Sequence, residues 1–283
     1  MPLVGKSRVL DSMHQAGYLV HAMQLGMKSQ TDEVPFIVLS HEVYPGVEAH
    51  LFTIADAALW LPAFNHVGDI VLYRPREFDG VESAGVIEKA RSDAWNMLLS
   101  AVERIGNLLT PYKEHVSQGI TPKTVWAHHE TQWHLALRDA PDHEAQPVDK
   151  FIDDVDSSIR PHIRELNELG FATKESCSGI LDEHPDREPY RPYVMFDDRV
   201  YLDASAHLFT LADIAEWIPG PGPHGFDVSF HQNVGEDIQD AWQRLRKAAH
   251  SFAPLINQYR TLVGAKDRQY RRLRKVREVP KIT

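Results

Sequence analysis

One segment of this chain occurs twice. Residues 49–62 read AHLFTIADAALWLP and residues 206–219 read AHLFTLADIAEWIP, with ten of fourteen positions identical at a constant offset of 157. An aromatic-rich, non-repetitive segment does not recur in this way by chance. The match indicates a tandem duplication, and a repeat of this kind has to be identified before any local pattern is interpreted.

The similarity extends beyond this segment on both sides. Upstream, Gly17-Tyr18 aligns with Gly170-Phe171 at an offset of 153, and downstream Ala94-Trp95 aligns with Ala241-Trp242 at an offset of 147. Two copies, rather than the three or so that a solenoid needs, predict a pseudo-dimer of domains.

Each copy reads as helix, strand, strand, short helix, strand and long helix. The short helix is predicted to begin at a capping box, Thr53 with Asp56 in the first copy, and to end before Pro62. His50 and its counterpart His207 would then lie just ahead of this helix. The pattern predicts an α+β fold: two tandem duplicated α/β sandwich domains that form a pseudo-dimer, with helices layered on small sheets.

The composition shift between segments gives the predicted domain limits. They are a degenerate first repeat at 1–110, a connector at 111–147, a second repeat at 148–265 and a basic C-terminal tail at 266–283.

Charge is spread unevenly over the chain. The net charge is -10, yet the tail is strongly basic. An acidic body with a basic tail favours a polyanion partner, so we predict contact with tRNA or another RNA through the tail. The alternative is a solvated helical end that neutralises the acidic body. The predicted nucleic-acid-binding residues are Arg268, Arg271, Arg272, Arg274, Lys275 and Arg277.

Composition also bounds the cellular location. The sequence has no apolar run near the ~18 residues of a membrane span, and its N-terminus lacks the apolar core of a secretory signal. The single cysteine cannot form an internal disulfide. We therefore expect no membrane association and a reducing, cytoplasmic environment.

The duplication separates structural from functional candidates. Features kept in both copies, such as His50 and His207, are expected to be structural. By contrast, Ser176-Cys177-Ser178-Gly179 aligns with Met23-Gln24-Leu25-Gly26, so the thiol and both hydroxyls belong to one copy only. A Cys-Ser-Gly turn at a strand end exposes backbone N–H groups and hydroxyls, which suits an anionic or polar ligand.

The predicted site is centred on Cys177. His184 lies seven residues further on, in a loop that would fold back and act as the base for a nucleophilic thiol. The alternative is that Cys177 is a small buried hydrophobic residue, as free cysteine often is. With only one close pair of ligand types we expect no metal site. Ser176, Ser178, Gly179 and His207 complete the predicted site as cofactor-binding residues.

This stretch carries a resemblance. Gly170-Phe171 followed by Glu175–Gly179 resembles the Ser-Ser-Cys-Ser-Gly-Arg signature of the wybutosine-synthesis methyltransferase family of tRNA-modifying proteins. The resemblance implies a compact α/β domain and S-adenosylmethionine-dependent methylation of a modified guanosine in tRNA. Glu175 stands where that signature has a serine, and Ile180 where it has an arginine.

Three functions follow from these observations. The first is an RNA-modifying methyltransferase with its pocket at the Cys177 turn, because methyl transfer needs positioning more than a strong acid or base. The second is a non-catalytic ligand-binding protein in which one copy is scaffold. The third is an assembly module that docks through its basic tail.

Overall fold

The computed structural model describes residues 5–26, 34–74, 84–119, 146–184, 191–201, 203–222, 227–232 and 237–264. The chain forms two compact units. The first comprises Met1–Asn107 and Leu255–Thr283, and the second Leu108–Pro254. This division does not coincide with the two sequence copies, since the first unit also takes in the chain that follows Pro254.

The first unit contains a four-stranded antiparallel sheet with helices. Its elements are α1 (Lys6–Gln15), β1 (Val20–Gln24), β2 (Phe36–Leu39), α2 (Val47–Ala57), β3 (Leu61–Phe64), β4 (Ile70–Tyr73) and α3 (Ala84–Leu108). The strand order is β1-β2-β4-β3. Gln24, the last residue of β1, lies opposite Phe36 at the start of β2.

Over the described ranges, the second unit also contains a four-stranded antiparallel sheet, with four α-helices instead of three. Its elements are α4 (Thr110–Ser117), α5 (Arg160–Glu168), β5 (Thr173–Cys177), β6 (Tyr193–Asp197), α6 (Ala204–Ile214), β7 (Ile218–Pro221), β8 (Asp227–His231) and α7 (Ile238–Gly264), the last of which continues into the first unit. The strand order is β5-β6-β8-β7, again antiparallel throughout. Both units are mixed helix and sheet, so the protein is an α+β protein.

The prediction of a capping box was wrong. Thr53 and Asp56 lie inside α2, fully buried, and the helix begins after Gly46, whose φ of 81° is left-handed. Thr210 and Asp213 are likewise buried inside α6. A helix that is buried on every side has no polar face, and the apolar periodicity therefore gave no sign of its true start. His50 and His207 consequently lie within these helices rather than ahead of them.

The sequence analysis also missed one strand in each copy. Pro62 and Pro219 do not end a helix but lie in β3 and β7. Both are at the edge of their sheet, where a residue without an N–H is tolerated. The helices end instead at Ala57 and Ile214, and Leu59 and Glu216, with φ of 58° each, turn the chain into the edge strand.

The core of each unit is built on a pair of tryptophans. Trp60 and Trp95 pack edge to face with ring centroids 4.6 Å apart, and Trp217 and Trp242 do so at 5.1 Å. The Trp60 indole N–H donates to the Ala94 carbonyl at 3.2 Å. The long helices α3 and α7 each contribute to a core, since Trp95 and Trp242 are completely buried.

Candidate functional site

The candidate site lies at the end of β5. Cys177 is the last residue of this strand, and Gly179 follows it with a left-handed φ of 75°. A β-carbon built on Gly179 would lie 2.6 Å from the side chain of Pro192 and 2.9 Å from its backbone nitrogen. Only glycine fits this turn, because both the backbone conformation and the space exclude a side chain.

Three polar side chains converge at this turn. The Sγ atom of Cys177 lies 3.4 Å from Nε2 of His184, and the same Nε2 lies 3.0 Å from Oδ2 of Asp156. The predicted approach of His184 to Cys177 is therefore present in the structure. The thiol is buried, whereas the imidazole and the carboxylate are half-buried, with side-chain exposures of 24% and 15%.

The carboxylate contacts the ring nitrogen that the thiol also contacts. In a Ser-His-Asp or Cys-His-Asp triad the acid binds the ring nitrogen remote from the nucleophile, and so holds the imidazole in the tautomer that accepts a proton. Here Sγ and Oδ2 compete for one atom. If Nε2 carries a proton, it can donate to Asp156 but cannot accept the proton of Cys177. If Nε2 carries no proton, the carboxylate loses this donor and keeps the Ser178 N–H.

The backbone donors of the turn are occupied. The N–H of Ser178 donates to Oδ2 of Asp156 at 2.7 Å, and the N–H of Ile180 donates to the Ser178 hydroxyl oxygen at 3.2 Å. Ser178 is completely buried. The turn was predicted to present backbone N–H groups to an anionic or polar ligand, whereas these two N–H groups are bound within the protein, that of Ser178 to a carboxylate.

Glu183 fixes the loop that carries His184. Its carboxylate accepts hydrogen bonds from the hydroxyls of Ser157 and Ser158, at 2.7 and 2.6 Å, and from the Ser158 N–H at 3.0 Å. Burial opposes the charge, but these bonds together with one from Ser178 outweigh it and lower the pKa of Glu183 to about 2. The loop of His184 and the segment of Asp156 are therefore tied to each other.

A polar row crosses the sheet beside Cys177. Cys177 lies opposite Tyr193 on β6, and Tyr193 lies opposite His231 on β8. The Tyr193 hydroxyl donates to Oε1 of Glu175 at 2.5 Å, and burial together with that carboxylate raises the pKa of the tyrosine. Ser176 is half-buried and lies opposite Val194.

The remaining predicted residues have other positions. His207 is completely buried in α6, where its Nδ1 lies 3.2 Å from the Tyr201 hydroxyl and its ring packs edge-on against Phe252. His50 has the same arrangement with Tyr44 at 3.2 Å. The predicted nucleic-acid-binding residues Arg268, Arg271, Arg272, Arg274, Lys275 and Arg277 lie outside the described residues.

A separate cleft of about 320 Å³ opens in the second unit, lined among others by Val148, Asn167, Ala172 and Tyr201. None of the three clustered side chains lines it.

Asp156 is the residue that the sequence analysis missed. It lies 28 positions before His184, in an acidic stretch near the start of the predicted second repeat. The alignment of the two copies could have identified it. At the offset of 153, Asp156 aligns with Leu3 and Cys177 with Gln24, so the carboxylate, like the thiol, is present in the second copy only.

Comparisons with known proteins give no family for the chain: no family model, no curated protein and no solved structure matches it. No helix within the described ranges is both long and apolar enough to cross a bilayer.

Proposed function

We propose that the protein is an enzyme whose chemistry is confined to the second of two duplicated copies. The observation that carries this proposal is the convergence of Asp156, Cys177 and His184 within hydrogen-bonding distance at one turn. Thiols, imidazoles and carboxylates that share a site serve catalysis or metal binding more often than packing.

The tandem duplication is part of this proposal. The two units share one strand order, and their helices α2 and α6 span residues exactly one offset apart, Val47–Ala57 and Ala204–Ile214. In this scheme the first copy, with Gln24 in place of the thiol, is a scaffold that has no reaction of its own.

The reaction that we propose is methyl transfer to RNA from S-adenosylmethionine. Its support is the resemblance of Ser176–Gly179 to the signature of the wybutosine-synthesis methyltransferases, together with the position of those residues beside the cluster. Methyl transfer depends on positioning, which a turn fixed by Gly179 and Glu183 provides. The basic tail at 266–283 would hold the phosphate backbone of the RNA, and a site that needs a free thiol suits the reducing cytoplasm.

A second candidate is a binding protein without catalysis. The observation in its favour is that Asp156 contacts the same Nε2 atom of His184 as Cys177 does. An imidazole that donates its Nε2 proton to Asp156 is not available as the base for the thiol, so the cluster can hold a ligand without catalysing a reaction.

Native mass spectrometry with added S-adenosylmethionine and bulk tRNA tests the proposal. We expect adducts of both, with the S-adenosylmethionine adduct weakened in Cys177→Ala and the tRNA adduct weakened when residues 266–283 are deleted. Gln24→Ala, the same change at the matching residue of β1, is the control and is expected to keep both adducts. Absence of both adducts from the full-length protein would exclude RNA methylation.

Incubation with labelled S-adenosylmethionine separates the two candidates. Transfer of label to tRNA identifies the enzyme, whereas adducts without transfer identify the binding protein.

A further inference from the structure

We infer that Asp156, Cys177 and His184 form a binding site for one divalent transition-metal ion, with zinc the best match. This inference goes beyond methyl transfer and holds whatever the protein's substrate is. It starts from the conflict at Nε2 of His184, which lies within contact distance of two other polar atoms and can satisfy only one of them through a proton.

A cation removes this conflict. A thiolate, a neutral imidazole nitrogen and a carboxylate oxygen each present a lone pair, and a metal ion accepts all three at once. The three ligand atoms lie within 4.8 Å of one another, so a single ion between them would reach every one.

The distances fit a tetrahedral ion. Ligand bonds of about 2.3 Å to sulfur and about 2.0 Å to nitrogen and oxygen place S and N about 3.6 Å apart, and N and O about 3.3 Å apart. The observed separations are 3.4 Å for Sγ to Nε2 and 3.0 Å for Nε2 to Oδ2. For these two pairs, an entering ion would have to move the atoms apart by only a few tenths of an ångström.

The ligand set selects the kind of metal. Thiolate and imidazole favour zinc and similar transition metals, whereas magnesium and calcium require oxygen ligands. Three protein ligands leave one tetrahedral position for water or for a substrate atom, which is the arrangement of catalytic rather than structural zinc sites. Such an ion would polarise or deprotonate whatever occupies that position.

The surroundings orient the ligands. The Ser178 N–H donates to Oδ2 of Asp156 at 2.7 Å, and a hydrogen bond of this kind to a metal ligand fixes the direction in which that ligand points. Glu183 fixes the segment of Ser157 and Ser158, next to Asp156, against the loop of His184. Gly179 lets the chain turn directly after the thiol.

Metal content tests the inference. Full-length protein is stripped with a chelator, dialysed against zinc and measured by plasma mass spectrometry, and a second sample is loaded with cobalt. We expect one ion per chain, together with a thiolate-to-cobalt charge-transfer band and the intense visible bands of four-coordinate cobalt.

Conservative variants locate the site. Cys177→Ser should remove the charge-transfer band, and Asp156→Asn and His184→Gln should each weaken binding by about tenfold or more. The control is His41→Gln in the first unit. His41 contacts Asp69 at 3.3 Å, a histidine–aspartate pair without a thiol, and this variant should keep the ion.

The result is decisive even if a variant fails to fold, because the cobalt spectrum of the unaltered protein already reports sulfur ligation. A wild-type protein that takes up no zinc and shows no charge-transfer band would overturn the inference, as would loss of the ion in His41→Gln alone. Metal binding without S-adenosylmethionine or tRNA adducts would sustain the metal site and reject the methyltransferase.

Discussion

The turn after β1 and the turn after β5 follow matching strands, yet different groups hold them. In the first unit helix α3 holds the turn, since the Trp95 indole donates to the Leu25 carbonyl at 3.1 Å and Arg91 donates to the Gly26 carbonyl. In the second unit the side chains of Asp156, Ser178 and Glu183 hold it. The indole nitrogen of Trp242, which aligns with Trp95, has no hydrogen-bond partner within the described residues.

This difference shows how one backbone serves two purposes. A turn bound to its helix by an indole and a guanidinium holds no nucleophile among these groups. A turn bound by carboxylates beside a thiol and an imidazole keeps the same backbone conformation, since Gly26 and Gly179 have φ of 67° and 75°, but it concentrates reactive groups. The first turn is thus held by donors from a helix, and the second by carboxylate and hydroxyl groups close to it in the fold.

Of the substitutions that test this comparison, Gly179→Ala should change the free energy of unfolding most. The new methyl group meets Pro192 at 2.6 Å, and alanine is strained at a φ of 75°. We expect the free energy of unfolding to fall by about 3 kcal/mol, measured by urea denaturation. Gly26→Ala, which adds strain at a φ of 67°, is the matched control and should cost about 1–2 kcal/mol. Equal losses in the two variants would mean that the Pro192 contact is unimportant.

Asp198→Asn tests a second position at which the two copies differ. Asp198 follows β6, at the end of the sheet away from the Cys177 turn, and aligns with His41 in the first copy. Burial, followed by the charges of Asp197 and Asp227, raises the pKa of Asp198 to about 7. Between about pH 4 and pH 7 the unfolded carboxyl is ionised while the folded one keeps its proton, so the wild type loses stability as pH rises through this window.

The asparagine variant has no such loss. The free energy of unfolding of the variant, relative to that of the wild type, should therefore rise by about 2 kcal/mol from pH 4.5 to pH 8. Urea denaturation of both proteins at the two pH values measures this change. The exposed Asp153, changed to asparagine, is the control and should show no pH-dependent difference. A difference between wild type and Asp198→Asn that is the same at both pH values would refute the assignment.

Glu183→Gln should change the free energy of unfolding least. The lowered pKa of Glu183 means that its contribution to stability is fully present above about pH 4.5 and is lost as pH falls towards about 2. Because the carboxylate is largely solvated, we expect a cost of about 1 kcal/mol at pH 7 that disappears near pH 2. Thermal unfolding at both pH values measures it, with the exposed neighbour Asp182→Asn as control. A cost that persists at pH 2 would show that the charge is not its source.

Much of the fold could be predicted from the sequence, because the two copies reinforce each other. The predicted order of a helix, two strands, a short helix and a long helix is present in both units, although a second strand follows each short helix where one was predicted. The edge strands at Pro62 and Pro219 could not be predicted, since proline also ends helices and only the sheet order shows which role applies.

The site was predictable only where its residues are close in sequence. Cys177 and His184 are seven residues apart, and their approach required only a short loop. Asp156 reaches them through α5 and β5, so its place depends on how helix and strand pack together. A single sequence does not specify that packing, and an acidic residue near prolines is typical of a linker as well as of a site.

The paired tryptophans give each unit its own optical signature. Indole rings in contact couple their electronic transitions, and the coupling vanishes when either ring is replaced. Trp60 and Trp95 lie in one unit and Trp217 and Trp242 in the other. Replacing Trp217 with phenylalanine would remove the signal of one pair and leave that of the other, so circular dichroism could follow the melting of the two units separately within one molecule.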